Sequence, residues 1–295
     1  MPLNLHLLRL FSTVVKTGSF SRAAAALHVS QPAISKGVRD FELQLGCRLL
    51  DRTSRGVLPT REGKALLRHA DVLFAAERAA EEELLSLRNL DRGFLRIGAS
   101  TTIATYMIAE YLGIFHRMYP GIDLHLVSAN TRDIADLLLE HSIETALVEG
   151  PVDDSSLSSK PWRADIMGLI AAPDHKFCTS PHPIDPKALR DEIMIVREPG
   201  SGSREIVSKA LAAHGVKPRR TLEIGSTEAI KQAVACGVGV AIVSTATVDD
   251  QVRLGRLTVV PMIDLQISRT LWQLKVPGRI EIPAALAFER IILQD

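Results

Sequence analysis

A short stretch of the chain carries polar side chains at the spacing of one helix face. Gln31 and Ser35 lie four positions apart, and Lys36 and Arg39 continue the same side. Glutamine can form two hydrogen bonds to the edge of adenine, and serine can bond several base edges in the major groove of DNA. The stretch predicts a helix that reads base pairs; a helical hairpin with a solvated polar face is the alternative. The predicted DNA-contacting residues are Ser30, Gln31, Pro32, Ser35, Lys36 and Arg39.

Two helices joined by a tight turn must hold this face in place. The first runs roughly over 21–27, with Ser19 or Ser21 as its N-cap, and its four consecutive alanines let a second helix approach closely. Ser30 is suited to cap the second helix, because Pro32 then falls in the first turn, where its missing N–H costs nothing. An apolar side at three- and four-residue spacing is predicted to face the core: Ile34, Val38, Phe41 and Leu45.

The segment 48–60 predicts a short two-stranded wing after the second helix. Two apolar pairs supply the strands, and the residues between them supply the tip. Arg52 and Arg55 are placed to contact phosphates or the minor groove from this hairpin, whereas a solvated loop is the alternative. With a first helix over 5–15, these elements predict a winged helix-turn-helix domain over residues 1–60.

A long helix is predicted from Thr60 to about Asn89. Thirty residues at ~1.5 Å each span roughly 45 Å. An apolar stripe with a seven-residue repeat needs a partner to cover it, so pairing with a second subunit is predicted. Packing of the helix on its own domain is the alternative. The stripe consists of Leu66, Ala70, Leu73, Ala80, Leu84 and Leu87, and Glu77 interrupts it.

Many of these residues, in fixed register, resemble the N-terminal signature of the LysR-type transcriptional regulators. The resemblance implies a homo-oligomeric regulator that binds double-stranded DNA at an imperfect dyad. It also implies dimerisation through the long helix and an expected tetramer, and it leaves RNA polymerase open as a further partner. The mild departures, Phe41 and Leu50, keep apolar groups in the core. The matching residues are Phe11, Gly18, Ser19, Ala23, Ala24, Leu27, Ser30, Gln31, Pro32, Ala33, Ser35, Glu42, Leu45, Gly46, Leu49, Arg52, Arg55, Thr60 and Gly63.

The charge distribution separates the two parts of this 295-residue chain. Residues 1–68 contain eleven Lys or Arg against four Asp or Glu, whereas the remainder contains 24 against 30. A basic module on an acidic body suggests a polyanion partner for the first part only. The N-terminus shows no signal peptide, and no apolar run is suited to a membrane span. With three widely spaced cysteines (Cys47, Cys178 and Cys236), these features predict a cytoplasmic protein with free thiols and no membrane partner.

From Gly93 onward, predicted strands alternate with predicted helices, which is typical of mainly parallel sheets covered by helices. A helix over 100–119, a helix capped by Thr131 and a strand over 238–243 are among these elements. A strand over 268–276 returns toward the first half, so the chain is expected to cross twice between two subdomains. We predict a linker helix over 60–89 and an α/β effector domain over 90–295, with subdomain I at 90–162 and 268–295 and subdomain II at 163–267.

This half also resembles the LysR effector domain, which is similar to the type 2 periplasmic binding proteins. The resemblance implies two Rossmann-like subdomains with a small-molecule effector between them. It is carried by residues 93–98, 119–122 and 237–241. Residues 148–151, 197–204 and 225–231 look most like those of regulators of carbon fixation and sulfur assimilation.

Hydroxyl clusters lie at three predicted strand-to-helix turns. Ligands of open α/β sheets bind outside the carboxyl ends of the strands, and helix N-termini attract anions. We therefore predict an acidic metabolite in the cleft. Capping alone is the alternative for each hydroxyl, and Glu149 could repel an anion or accept from an effector hydroxyl. The predicted effector-binding residues are Ser100, Thr101, Thr102, Ser128, Glu149, Ser201, Gly202, Ser203, Arg204 and Thr227.

Other constellations predict no catalytic or metal centre and no cofactor. His175, Cys178 and His182 have a metal-like spacing but lack a fourth ligand. No nucleophile elbow, paired acid motif or phosphate-binding loop is present, so an enzyme is not expected. The rival interpretations are a solute-binding protein or a small-molecule enzyme built on the α/β half, and a DNA-binding protein without an effector.

Overall fold

The computed structural model describes residues 3–53, 56–86, 93–150 and 152–293 of the chain. The chain forms two compact units, residues 1–80 and 81–295. Among the described residues, no helix combines the length and the apolar character that a membrane crossing requires.

The N-terminal unit is a helix-turn-helix with a hairpin and the start of a long helix. Ser19 and Ser30 are the N-caps of the second and third helices. The long helix continues into the second unit and is described as far as Ser86, so the predicted positions Leu87 and Asn89 lie outside the described residues. The elements are α1 (Leu5–Thr17), α2 (Phe20–Ala26), α3 (Gln31–Leu45), β1 (Leu50–Thr53), β2 (Gly56–Pro59) and α4 (Arg61–Ser86).

The three short helices and the start of α4 share one apolar core. Gly37 lets α3 approach α1, because a Cβ there would lie 2.4 Å from a methyl carbon of Leu10. Leu45, predicted to face the core, is instead 37% exposed, since it is the last residue of α3 and the chain turns at Gly46. The buried apolar side chains include Leu8, Phe11, Val14, Ala23, Ile34, Val38, Phe41, Leu49, Ala70 and Phe74.

The C-terminal unit alternates strands and helices. Two short 3-10 helices, Pro186–Asp191 and Thr245–Thr247, lie between them. The elements are β3 (Gly93–Ser100), α5 (Thr101–Tyr106), α6 (Ala109–Met118), β4 (Ile122–Ala129), α7 (Thr131–Leu139), β5 (Thr145–Val148), β6 (Ser158–Ala171), β7 (Ile193–Val196), α8 (Gly202–Ala213), β8 (Arg220–Glu223), α9 (Thr227–Ala235), β9 (Ala241–Ser244), α10 (Asp249–Arg253), β10 (Thr258–Val260), β11 (Ile267–Lys275) and α11 (Pro283–Ile292).

The main sheet of this unit is mixed, so the prediction of mainly parallel sheets is wrong. Its strand order is β10-β6-β11-β5-β3-β4, and β9 also pairs with β6. Strands β3, β4 and β5 are parallel, but β6 pairs antiparallel with β11 from Ser158 opposite Lys275 to Met167 opposite Ile267. These two strands run in opposite directions because they are the two crossings of the chain between subdomains. We call the part with β3, β4 and β5 subdomain I, and the part with β7, β8 and β9 subdomain II.

Three further local predictions need correction. The predicted helix over 100–119 is two helices, α5 and α6, separated by the buried residues Met107 and Ile108, and the N–H of Ile108 donates to the carbonyl of Ile103, five residues earlier. The cap of α7 is Asn130, whose side chain accepts from the N–H of Asp133, and Thr131 is the first helical residue. The predicted strand over 238–243 is β9, which begins at Ala241 and ends at Ser244.

Candidate functional site

The N-terminal half of α3 presents the polar face predicted to read DNA. The hydroxyl of Ser30 accepts from the N–H of Ala33 at 3.4 Å and so begins the helix. Gln31, Lys36 and Arg39 are exposed, and Ser35 is half-buried. Pro32 is also exposed on the first turn, so the helix offers donors, acceptors and an apolar patch on one side.

The hairpin beside α3 is antiparallel, with Leu50 opposite Pro59 and Arg52 opposite Val57. Glu42 ties it to the helix, since its Oε1 accepts from the N–H of Leu49 at 2.7 Å and from that of Leu50 at 3.2 Å. The side chain of Arg52 and all of Arg55 lie outside the described residues. Their predicted DNA contacts therefore remain predictions.

The apolar stripe of α4 has two different environments. Leu66 and Ala70 pack into the core of the N-terminal unit. Leu73 is 42% exposed and Leu84 is 68% exposed, although both are large apolar side chains. Ala80 is exposed as well. Part of the stripe thus stays uncovered in a single chain.

The second site lies where subdomains I and II meet, at the carboxyl ends of four strands. β3 ends at Ser100, β5 at Val148 before Glu149, β7 at Val196 before Arg197, and β9 at Ser244. The predicted residues brought together here are buried. They are Ser100, Thr102, Glu149, Ser201, Ser203 and Thr227.

Two serines at this site occupy cap positions without capping. Ser100 begins α5 and Ser201 begins α8, yet neither side chain bonds to its own helix. Each is 1% exposed, and neither hydroxyl has a hydrogen-bond partner among the described residues. Ser226, which begins α9, does cap, because its hydroxyl accepts from the N–H of Ala229 at 3.4 Å. Capping alone therefore accounts for Ser226 but not for Ser100 or Ser201.

A buried group of charges surrounds these hydroxyls. Arg269 on β11 donates to Asp165 at 2.6 Å and to the hydroxyl of Ser203 at 2.8 Å. That hydroxyl donates to Glu149 at 2.5 Å, and Glu149 lies 3.4 Å from Nη1 of Arg269. Asp165 also accepts from the hydroxyl of Ser244 at 2.7 Å. Residues of both subdomains and of both crossing strands are thus joined in one network.

Glu149 is ionised in this network. Burial by itself would raise the pKa of its carboxyl group, but the positive charge of Arg269 and the hydroxyls of Ser203 and Thr102 outweigh burial. Arg197 adds a smaller effect in the same direction, so the pKa of Glu149 lies below its ordinary value. The cleft therefore holds a fixed negative charge at neutral pH.

Arg197 and Arg204 lie beside the network on the side of subdomain II. Arg197 donates to Glu198 at 2.8 and 2.9 Å, and to the hydroxyls of Thr227 and Thr101 at 3.3 Å each. Arg204 donates to the carbonyl of Arg197 at 2.7 Å and to Glu223 at 2.8 Å. These contacts place Thr101 and Arg204 at the edge of the site.

Close contacts hold the two subdomains together. Besides the bond from Ser203 to Glu149, the buried ammonium of Lys231 on α9 donates to the hydroxyl of Tyr106 on α5 at 2.6 Å. At Gly202, a Cβ would lie 2.9 Å from the hydroxyl of Thr131 and 3.1 Å from the carbonyl of Glu149. The start of α8 can approach subdomain I so closely only because residue 202 has no side chain.

A cavity of about 490 Å³ opens from this site into subdomain II. Four of the predicted residues line it: Thr102, Ser203, Arg204 and Thr227. The other predicted residues lie outside this lining, and among them Ser100, Glu149, Ser201 and Gly202 are buried beside it, whereas Ser128 is exposed on β4. The structure thus gathers most of the predicted residues and leaves Ser128 apart.

Sequence reasoning missed Arg197, Arg269 and Asp165 as members of the site. A signal for Arg269 was present, because it falls between Ile267 and Leu271 on the inward side of an alternating strand. A charge at an inward strand position is rarely tolerated without a partner. Nothing local pointed to Asp165 as that partner.

The metal-like triad does not form a site. His175 contacts Glu192 at 3.4 Å, and the thiol of Cys178 donates to the carbonyl of Ala172 at 3.2 Å. His182 is exposed. Within the described ranges, no group of three or more His, Cys, Asp or Glu could hold a metal ion.

Comparison with known proteins assigns both halves of the chain. Residues 5–64 match the model of the bacterial regulatory helix-turn-helix protein, lysR family, and residues 88–295 match the LysR substrate binding domain. The fold and its two sites define a DNA-binding regulator with a ligand-binding domain. The chain belongs to the LysR family of bacterial transcription regulators, which confirms the resemblance and the predicted fold class.

Individual relatives agree with this assignment. The uncharacterized HTH-type transcriptional regulator YeiE of Escherichia coli K12 is 33% identical over 93% of this chain and 92% of its own length. The RuBisCO operon transcriptional regulator of Allochromatium vinosum is 30% identical over 100% of this chain and 97% of its own length. The regulatory domain of CcmR from Synechocystis PCC6803, in complex with 2-PG, superposes with a TM-score of 0.64 at 31% identity, over 68% of this chain and 96% of that one. The relatives are regulators, so the enzyme and solute-binding alternatives are set aside.

Proposed function

We propose that a small anionic metabolite binds between subdomains I and II and thereby controls the activity of this regulator on DNA. The observation that carries the proposal is the pair of buried cap hydroxyls, Ser100 and Ser201, without hydrogen-bond partners among the described residues. A buried polar group without a partner is costly, and an anion could accept a hydrogen bond from each. The ligand in the CcmR complex supports a small-molecule effector for this type of domain.

Control would come from the arrangement of the two subdomains. A ligand shifts an equilibrium only by its differential affinity for the two states. An effector that bonds to Ser100 of subdomain I and to Ser201 of subdomain II favours the arrangement in which both hydroxyls face it. The contacts at Gly202 and Lys231 stabilise that arrangement in the absence of ligand.

On the DNA side, we propose that Gln31 and Ser35 contact bases and that Lys36 and Arg39 contact phosphates, with Ser30 and Pro32 beside them. Arg52 and Arg55 of the hairpin are proposed to contact phosphates or the minor groove. Two such modules would read an imperfect dyad, since one helix reads too few bases to compete with non-specific sites. Because the target is DNA, the proposed location is the cytoplasm. Contact with RNA polymerase stays open.

LysR regulators form oligomers, and we propose that α4 makes the dimer contact here. The exposed leucines Leu73 and Leu84 support this, because large apolar side chains at helical spacing favour a covered state. A tetramer is the expected assembly. Replacing Leu84 by aspartate should shift the sedimentation coefficient toward a smaller species, while the exposed Glu81→Gln change on the same helix should not.

The effector proposal is tested by the melting temperature of the full chain with inorganic phosphate, sulfate and acetate as probes. A saturable rise is expected, since a ligand that binds only the folded state stabilises it. Ser100→Ala and Ser201→Ala should each abolish or reduce the rise. The control is Ser19→Ala, which removes the hydroxyl that caps α2 in the N-terminal unit. This change should leave the ligand-induced rise in melting temperature unchanged. A rise that survives both cleft changes would place the anion elsewhere and refute the proposal.

The DNA proposal is tested by selecting binding sites from a random duplex pool. Gln31→Ala should cost about 1–3 kcal/mol on the selected site and relax the preference at one base pair. Arg39→Ala should weaken all duplexes alike and reduce the slope of affinity against salt. If Gln31→Ala weakened selected and unrelated duplexes equally, α3 would not be the reading helix.

A further inference from the structure

The cavity that opens from the cleft runs along the inner side of α8, from Ser203 in its first turn to Gly215 beyond its end. Much of its wall is apolar and comes from β7, α8 and β9. These wall residues, Met194, Val207, Leu211, Val216 and Ile242, are all less than 10% exposed and belong to the core of subdomain II. Part of the cavity wall thus belongs to the core of subdomain II, while Ser208, Ala212 and Gly215 of the lining are exposed.

The two ends of the cavity differ in character. At the start of α8 its lining includes buried polar groups, namely Thr102, Arg197, Ser203 and Thr227. At the far end it is lined by Lys217 and Thr221, which are exposed. A ligand in this cavity would thus meet buried hydrogen-bonding groups at one end, an apolar wall along its length and solvent at the other end.

The guanidinium groups near the polar end are all paired with carboxylates. Arg197 is paired with Glu198, and Arg204 is paired with Glu223. Arg269 is paired with Asp165, and the ionised Glu149 lies 3.4 Å from it. A ligand with several negative charges would face guanidinium groups that are already neutralised, together with a fixed carboxylate. A single negative charge, held mainly by hydroxyl groups, suits this environment better.

The apolar part of the wall favours an apolar occupant. Protein interiors are normally packed as densely as organic crystals, and the cost of an empty cavity grows with its volume. Water is held poorly where few polar partners surround it. A volume of about 490 Å³ lies within the range of ligand pockets, ~300–1,000 Å³, which are mostly apolar with a few placed polar groups.

We infer that the effector is an amphipathic monoanion, whose acid group lies at the hydroxyls of the cleft and whose apolar body fills the cavity along α8. The inference rests on the proposed function and narrows it from any small anion to one chemical class.

A series of straight-chain carboxylates from acetate to octanoate tests the inference on the full chain by titration calorimetry. Affinity should rise about fourfold with each methylene until the cavity is full, because each buried CH₂ contributes a constant increment. Octanol, which matches octanoate in length without its charge, should bind at least tenfold more weakly. Equal affinities for acetate and octanoate, or for octanol and octanoate, would overturn the inference.

Substitutions at Val207 measure the cavity directly. Val207→Phe shortens the apolar chamber and should move the tightest binder to a shorter acid, whereas Val207→Ala should move it to a longer one. Ala213→Phe adds the same ring to an exposed position of α8 outside the lining and should change nothing. An unchanged optimum in Val207→Ala would overturn the inference even if Val207→Phe did not fold.

The two proposals fail in different ways. In one outcome, acetate and phosphate bind equally, Ser201→Ala weakens both, and the affinity of the carboxylates does not depend on their chain length. The proposed anion site is then correct, and the inference of an amphipathic ligand is wrong. If no acid of any length binds, both are wrong.

Discussion

Serine begins helices in both units of the chain, but its hydroxyl group is used differently in each. In the N-terminal unit, Ser19 and Ser30 accept hydrogen bonds from backbone N–H groups of α2 and α3. In the C-terminal unit, Ser100 and Ser201 occupy the same helical position, are almost completely buried, and make no such bond. The first pair stabilises helices, whereas the hydroxyl groups of the second pair have no hydrogen-bond partner among the described residues.

The difference teaches how a cap position can become a binding position. A capping serine faces back over its own helix, and its contribution to stability is local. A serine buried at the meeting of two subdomains can instead face the space between them, at the cost of an unmade bond. Not every serine at a helix start near the cleft has lost its capping bond, because the hydroxyl of Ser226 still caps α9.

The largest expected effect comes from the charges around the free hydroxyls. Arg269→Met leaves Asp165 and Glu149 buried without their guanidinium partner and should lower the free energy of unfolding by about 3–5 kcal/mol. The matched change Arg219→Met breaks a pair whose side chains are 77% and 65% exposed, and should cost less than about 1 kcal/mol. Urea unfolding of both variants measures the difference; equal losses would mean that the network does not stabilise the cleft.

A smaller effect is expected at the close approach of α8 to subdomain I. Gly202→Ala puts a Cβ within 3.1 Å of the carbonyl of Glu149, so the subdomains must move apart, at a cost of about 1–3 kcal/mol. Gly150→Ala is the control, since its Cβ would lie 3.8 Å or more from any neighbour. Thermal unfolding distinguishes the two. A tolerated Gly202→Ala would show that this contact is easily relaxed.

Replacing one serine of each kind by alanine compares a capping hydroxyl with a buried hydroxyl that does not cap. Ser30→Ala should lower the stability of the chain by about 1 kcal/mol, because it removes a cap. Ser201→Ala should leave stability unchanged or raise it slightly, because it removes a buried group without a partner. The same unfolding experiment on both variants decides this, and a clear loss in Ser201→Ala would mean that its hydroxyl already has a structural partner.

Glu149 gives the network a dependence on pH, and the change in slope that it predicts is the smallest of these effects. Burial opposes ionisation, but Arg269, Ser203 and Thr102 hold its pKa below the ordinary value of 4.5. A carboxyl group with a lowered pKa contributes stability above that ordinary value, and the contribution is lost as the pH falls through the folded-state pKa. Glu149→Gln should therefore flatten the decline of stability below pH 4.5. An equally steep decline in the variant would contradict the assignment.

Short-range patterns in the sequence were sufficient to predict most elements. The positions of Ser30, Pro32 and the apolar residues of α3 define that helix through capping and periodicity, which need no tertiary contact. The hydroxyl clusters at Ser100, Ser201 and Ser226 were found in the same way, as helix starts after strands. The break at Met107 was missed because neither proline nor glycine marks it in the sequence.

By itself the sequence determined the class of the protein, the helix proposed to read DNA and the helix starts at which a ligand is proposed to bind, because these depend on residues close together in the chain. Only the tertiary structure decided which cap hydroxyls stay free, since Ser226 and Ser201 look alike locally. It also decided that Arg269 meets Glu149 and Asp165, more than a hundred positions earlier, and that a cavity opens along α8. Those outcomes depend on how antiparallel crossing strands bring distant residues together, and no local pattern records that pairing.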